Sequence, residues 1–253
     1  MAKKKRVLLW SNYPAVATGF AGFMKNLLIY LEKTGKYTLG VYATGTQWEN
    51  PDYGRWPWFT RGTLPNSKEE LDRLNQDPHR MKLASYGSEN LARVVKEFKP
   101  DIMLCIEDFW GFSFALDHPF WNKIHCMVVT TLDSLPLLPE AVEKAHRVNH
   151  FYVWSNFAVK EFKRLAEEGD IQIKTQERDF YTKQWQSREQ FQQAKNQFDE
   201  WKKNAVERVE GYRRVKLLRG CIDTESYHRL PDSERRELRK RFGIPEDIYV
   251  VGT

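Results

Sequence analysis

Apolar residues in this chain fall in short unbroken runs. RVLLWS (6–11), residues 37–43 (YTLGVYA), IMLCI (102–106), IHCMVVT (124–130), FYVW (151–154) and the shorter VKLL (215–218) are each bounded by charged or turn-forming residues. Runs of this length without strict alternation read as strands buried on both faces, the habit of parallel sheets. Helical periodicity lies between them. Residues 22–33 predict a helix ending near Gly35. Residues 67–74 and 88–98 predict two more, the second with Leu91, Val94, Val95 and Phe98 on one face and a stop before Pro100. PEAVEKAHRV (139–148) predicts a short helix, NFAVKEFKRLAEEG (156–169) one capped by Ser155 or Asn156, and SERRELRKRFG (233–243) one capped by Ser233 and stopped by Gly243. Residues 46–65, rich in Trp, Pro and Gly, read as loops with room for one short strand. No hairpin signal joins the runs, so the fold class is α/β, a Rossmann-like doubly wound parallel sheet.

Residues 170–214 break this rhythm. They contain no proline and are dense in Gln, Lys, Glu and Arg, while Phe191, Ala194, Phe198, Trp201, Ala205 and Tyr212 recur at spacings of three to four and seven. The pattern predicts one long amphipathic helix inserted into the sheet domain. Its apolar stripe docks on the chain's own domain, or else meets a partner, a second copy or a membrane surface. The final IYVVG (248–252) reads as a strand with nothing after it. The domain plan is therefore 1–169 with 215–246, an insertion at 170–214, and 247–253 as the first strand of a following domain that is truncated or supplied by a partner chain.

Composition narrows the class. The chain has 253 residues, 41% hydrophobic and 29% charged, values that exclude wholesale disorder and collagen-like structure and suit one large domain. No apolar run approaches the roughly 20 residues of a membrane span. MAKKKR followed by VLLW is too short and too soon polar for a secretory signal, so the expected location is cytoplasmic, with a place at the inner face of a membrane open. A net charge of +6 is too mild for a nucleic-acid footprint, and no specific nucleic acid is expected. Cys105, Cys126 and Cys221 stand apart in apolar surroundings and read as reduced, buried thiols.

Candidate chemistry sits just after the strands. In NYPAVATGFAG (12–22), Thr18, Gly19 and Phe20 open the first helix, where backbone N–H groups and the helix dipole suit a diphosphate. A tight turn needing glycine would look the same, and the spacing matches neither GxGxxG nor a Walker loop. Glu107-Asp108-Phe109-Trp110 and Thr131-Leu132-Asp133-Ser134 follow two further strands. Carboxylates there could bond sugar hydroxyls or handle a proton, or merely cap their loops. Trp48, Trp56 and Trp58 suit either sugar stacking or core packing. His118 and His125 suit either acid–base or structural roles. No cluster calls for a metal.

Several segments resemble, in order, the N-terminal half of family 4 glycosyltransferases, which have the two-domain GT-B fold. They are VLLWSNYPAVATGFAG, KPDIMLCIEDFWGF, TTLDSLPLLPEAV, HFYVWSNFAVKEF and LRGCIDTESYHRLPDSERRELRKRFGIPEDIYVVGT. The resemblance implies transfer of a sugar, with retention, from a nucleotide-sugar donor to a glycan or other acceptor. No further cofactor is implied. Thr18, Gly19 and Phe20 would approach the donor diphosphate, and Asn12, Asp108, Trp110, Asp133 and Ser134 would line the acceptor cleft. Asp133 is the candidate catalytic residue. The chain departs from the family at Arg219-Gly220-Cys221-Ile222-Asp223, where a His-Gly-Val-Asp run is usual, and at Ser134, where a His is common. A non-catalytic binding or assembly module using 170–214 as its arm is the rival reading. A nicotinamide-dependent epimerase or dehydrogenase fits less well, for want of a glycine fingerprint and of a Tyr-x-x-x-Lys dyad in a suitable place.

Overall fold

A computed structural model describes residues 3–219, 229–245 and 248. The chain divides into two compact units, 1–221 and 222–253. The first runs β1 (Lys5–Asn12), α1 (Gly19–Lys33), β2 (Tyr37–Gln47), β3 (Phe59–Leu64), α2 (Lys68–Asn75), α3 (Pro78–Tyr86), α4 (Leu91–Phe98), β4 (Ile102–Ile106), α5 (Phe109–Phe112), β5 (His125–Thr130), α6 (Pro139–Lys144), β6 (His150–Val153), α7 (Asn156–Thr182), α8 (Arg188–Arg213) and β7 (Lys216–Leu217), with short 3₁₀ turns at Pro51–Arg55, Ser113–Asp117 and Ala145–Arg147. The strands form one sheet of order β3-β2-β1-β4-β5-β6-β7, and every neighbouring pair is parallel. The Rossmann-like α/β architecture expected from the runs is the one found. α3 is an addition: Asp77 caps it through the N–H groups of His79 and Arg80, and the PHRMKLASY pattern carries little apolar periodicity to announce it.

The middle residues of β1, β4, β5 and β6 are apolar because both faces of the sheet are covered there. Along β1, Leu8 and Trp10 point into one core with Val94, Phe98, Phe109 and Phe151, whereas Val7 and Leu9 point into the other with Phe23, Met24 and Leu28 of α1. Period-two alternation of side chains thus feeds two apolar layers instead of one apolar and one wet face. Trp48 and Trp58 are buried, and Trp58 stacks on Trp56 at 5.0 Å, so this loop's indoles pack the domain. Cys105 and Cys126 are buried free thiols; Cys221 lies outside the described residues.

Segment 170–214 is helical but is not one helix. α7 runs through Gly169 without a break to Thr182, the chain turns at 183–187, and α8 returns from Arg188, making a helical hairpin. Gly169 continues the helix because a Cβ there would lie 2.5 Å from Val209 Cγ2: its missing side chain lets α8 close in. The turn carries neither Gly nor Pro. Its boundary is set by Ser187, which accepts the Gln190 N–H at 3.2 Å as the cap of α8. At the hairpin's base, Gly211 lies against the backbone of His146, where a Cβ would approach His146 Cα to 2.3 Å. Ala166, Ile173, Ala205 and Val209 form a small separate core between the two helices.

In the second unit, α9 (Asp232–Arg241) follows Pro231. Ser233 therefore lies inside the first turn and does not cap the helix as expected, Pro231 having set the entry two residues earlier. Gly243, at φ 64°, ends it, with the Ile244 N–H donating to Arg239 O at 2.8 Å. The strand expected at 248–252, and with it the start of a further domain, falls outside the described residues apart from Ile248.

Candidate functional site

After β1 the chain moves to β2 on one side. It later returns to β4 on the other side of β1, so the strand order reverses between β1 and β4. Open parallel sheets bind ligands outside the carboxyl ends of their strands at such a point. Asn12 is the last residue of β1, and Glu107 follows the last of β4. Asn12 Nδ2 donates to Glu107 Oε1 at 2.8 Å and to Thr44 Oγ1, on β2, at 2.7 Å. Thr44 Oγ1 itself donates to Glu107 Oε1 at 3.0 Å. Asn12 Oδ1 accepts the Thr18 hydroxyl at 2.7 Å, and Thr18 Oγ1 accepts the Ala21 N–H at 3.2 Å as the cap of α1. One chain of hydrogen bonds thus runs from a buried acid to the mouth of the first helix. Alongside it, Ser11 Oγ donates to Ile106 O at 2.6 Å, tying β1 to β4, and Thr131, just past β5, donates to Asp108 Oδ1 at 2.5 Å.

Glu107 is 2% exposed. Burial pushes its carboxyl up to about 7, against hydrogen bonds from Thr44, Asn12 and the Asp108 N–H that favour the ionised form, and with the neighbouring Asp108 charge adding to the rise. The Tyr86 hydroxyl is raised as well, first by burial and then by the charges of Glu107 and Asp108, so α3 faces the same acidic patch. Trp110 is half-buried, edge-on to Tyr86 at 4.6 Å and beneath Lys82 Nζ at 3.9 Å.

The residues singled out in the sequence divide into two sets. Asn12, Thr18 and Asp108 join the hydrogen-bonded edge. Gly19 and Phe20 are the first two residues of α1, whose N–H groups have no acceptor within the helix. A Cβ at Gly19 would meet nothing within 4 Å. The Phe20 ring packs on Trp154, beyond β6, at 5.3 Å. Asp133 and Ser134 are exposed in the loop after β5, and their side chains bond none of these groups. Glu107, the centre of the network, stood in the sequence only as part of a motif with Asp108, and Thr44 was not signalled. Being the first polar residue after a five-residue apolar strand was the available clue to Glu107.

The histidines lie elsewhere. His118 packs at a tilt against Phe120 at 4.2 Å. His125 and His150 meet at 4.1 Å where β5 and β6 begin, and burial, His125 and Lys216 together lower His150. Among the described residues no group of three or more His, Cys, Asp or Glu is placed to hold a metal ion, and no helix is long and apolar enough to cross a membrane. Fold and edge together define a Rossmann-like α/β domain with a polar, mainly acidic switch point. The sequence matches no protein-family model and no curated protein.

Proposed function

We propose that this chain forms the acceptor-side domain of a GT-B glycosyltransferase, acting on a nucleotide-sugar donor and a hydroxylated, glycan-like acceptor. The observation that carries this reading is the bonded set Asn12, Thr44 and Glu107 at the strand-order reversal, with Thr131 and Asp108 beside it. Among the described residues, amides, hydroxyls and carboxylates make up this network, and no Lys or Arg enters it. Such a surface suits the hydroxyls of a sugar better than a phosphate. Asp108, half-exposed, is available to accept from an acceptor hydroxyl. The Gly19 and Phe20 N–H groups are suited to an anion, and they would touch the donor diphosphate at one end. The remaining grip on the nucleotide would come from a second domain or a partner chain. Asp133, on its exposed loop, is the candidate to act on the acceptor once both substrates are bound.

The test is a transfer assay on the protein made from its native gene, with labelled nucleotide-sugars and a panel of glycan acceptors. Label should pass to an acceptor with the anomeric configuration retained. Gly19→Val, which has room for its side chain, should raise the donor KM severalfold at unchanged Tm. Unchanged kinetics would remove the loop from the donor site. Absence of transfer from every donor would favour the second reading, a non-catalytic binding module, which the half-exposed aromatic residues at the end of the α7–α8 hairpin favour independently.

A further inference from the structure

Six of the chain's ten glutamines lie between 184 and 197, and five of them surround one hollow at the tip of the hairpin. Gln184, Trp185 and Gln186 of the turn face Gln190, Gln193 and Gln197 of α8 across a concavity of about 500 Å³. The α8 members fall at i, i+3 and i+7, with Ala194 at i+4, so they form one helical face. The small Ala194 side chain leaves the floor of the hollow open. The neighbouring face of α8 is quite different: Phe198 stacks on Phe180 of α7 at 4.5 Å, and Phe191 packs on Phe180 at 5.8 Å. Trp185 is held by the same aromatic group, 5.3 Å from Phe180 and 5.8 Å from Phe191. Its ring is thus held at the border between the aromatic stripe and the glutamines, with the Lys183 ammonium lying over one face, 4.8 Å from the ring centroid, so that only the opposite face is available for stacking.

None of the five glutamine amides bonds to another described residue. Each carries two donors and an acceptor with two lone pairs, so the hollow offers closely spaced donors and acceptors around an indole. Lys183 is the one charged side chain lining it. An anionic ligand would find little to pair with, and an apolar helix would leave the amides unsatisfied. Vicinal hydroxyls, which both donate and accept, match amides in pairs, and the C–H face of a pyranose matches an indole.

We infer that the hairpin tip is a binding site for an uncharged glycan chain, with Trp185 as the stacking platform and Gln184, Gln186, Gln190, Gln193 and Gln197 as hydroxyl partners. This site is separate from the carboxyl edge of the sheet and does not depend on the chain being a transferase.

A glycan array carrying neutral and anionic oligosaccharides, probed with the full chain, tests it. Wild type should bind a subset of neutral glycans. Trp185→Ala should weaken that binding at least tenfold, and Gln190→Ala with Gln193→Ala severalfold, with helical circular dichroism unchanged. Tyr30→Ala, exposed on α1 and part of neither site, should leave it intact. Binding to no neutral glycan, binding confined to anionic ones, or loss on Tyr30→Ala with Trp185→Ala silent would each overturn the site. A change of oligomeric state in Trp185→Ala by sedimentation, without a change in glycan binding, would reassign the tip to contact between copies.

Discussion

Polar side chains at the sheet edge and at the hairpin tip live under opposite rules. At the edge, Asn12, Thr44 and Glu107 hold one another, because they sit over a core where an unbonded polar group is costly, and the exposed Thr18 extends the chain to α1. At the tip, the five exposed glutamine amides bond no other described residue, and the aromatic side chains beside them are packed on one another. The edge is therefore set in place by the fold, whereas the tip can adapt to what it meets. The same contrast runs through the packing. Trp10 sits fully buried between the sheet and its helices, with its indole N–H donating to Tyr86 O at 2.9 Å. The hairpin rests on a core of four small or medium side chains and on exposed cross-helix ion pairs such as Lys202–Glu177 and Arg213–Asp170, each worth little in water.

Substitution sharpens this difference most where burial is deepest. Trp10→Ala should cost about 4 kcal/mol in urea unfolding, and Phe180→Ala, half-exposed in the hairpin, about 1 kcal/mol. Similar losses would mean that the hairpin is as integral to the fold as the sheet. Next in size is the proton on Glu107. Its carboxyl is raised from 4.5 to about 7 in the folded chain, so the fold binds that proton more tightly than the unfolded chain does. Its contribution is complete below about pH 4.5 and is lost as pH rises through about 7, roughly 3 kcal/mol in all. Comparing unfolding of wild type and Glu107→Gln across pH 4.5–8 should show this falling slope in wild type alone; parallel curves would place the acid in an ordinary, wet setting. The smallest effect belongs to the turn. Ser187→Ala removes the cap of α8 and should cost about 1 kcal/mol, read as faster amide exchange at residues 188–191 with the exchange of β1 unchanged. Faster β1 exchange in that variant would join the two regions into one cooperative unit.

Much of the architecture was legible because parallel strands buried on both faces must be apolar runs, and β1, β4, β5 and β6 were visible for that reason. α3 was not, since its helix is decided by the Asp77 cap and by packing more than by its own periodicity. The hairpin turn was hidden too. Helical periodicity continues on both sides of 183–187, and Gly169, which looks like a stop, is instead the close approach that lets the two helices meet. At the site, Asn12, Thr18 and Asp108 could be placed at strand and helix ends from the sequence. That Glu107, and not its neighbour, is the buried centre depended on which face of β4 its side chain leaves.

By itself, then, the sequence determined the α/β class, the parallel pairing, the helical nature of 170–214 and the carboxyl-edge location of the polar motifs, because each is a local consequence of which side chains tolerate water. The tertiary structure alone decided the strand order, and with it the reversal that sets Asn12 beside Glu107 across 95 positions of chain. It also decided the fold-back of the hairpin that gathers Trp185 and the glutamines into one hollow. Both depend on contacts between residues far apart in sequence, which no local pattern encodes.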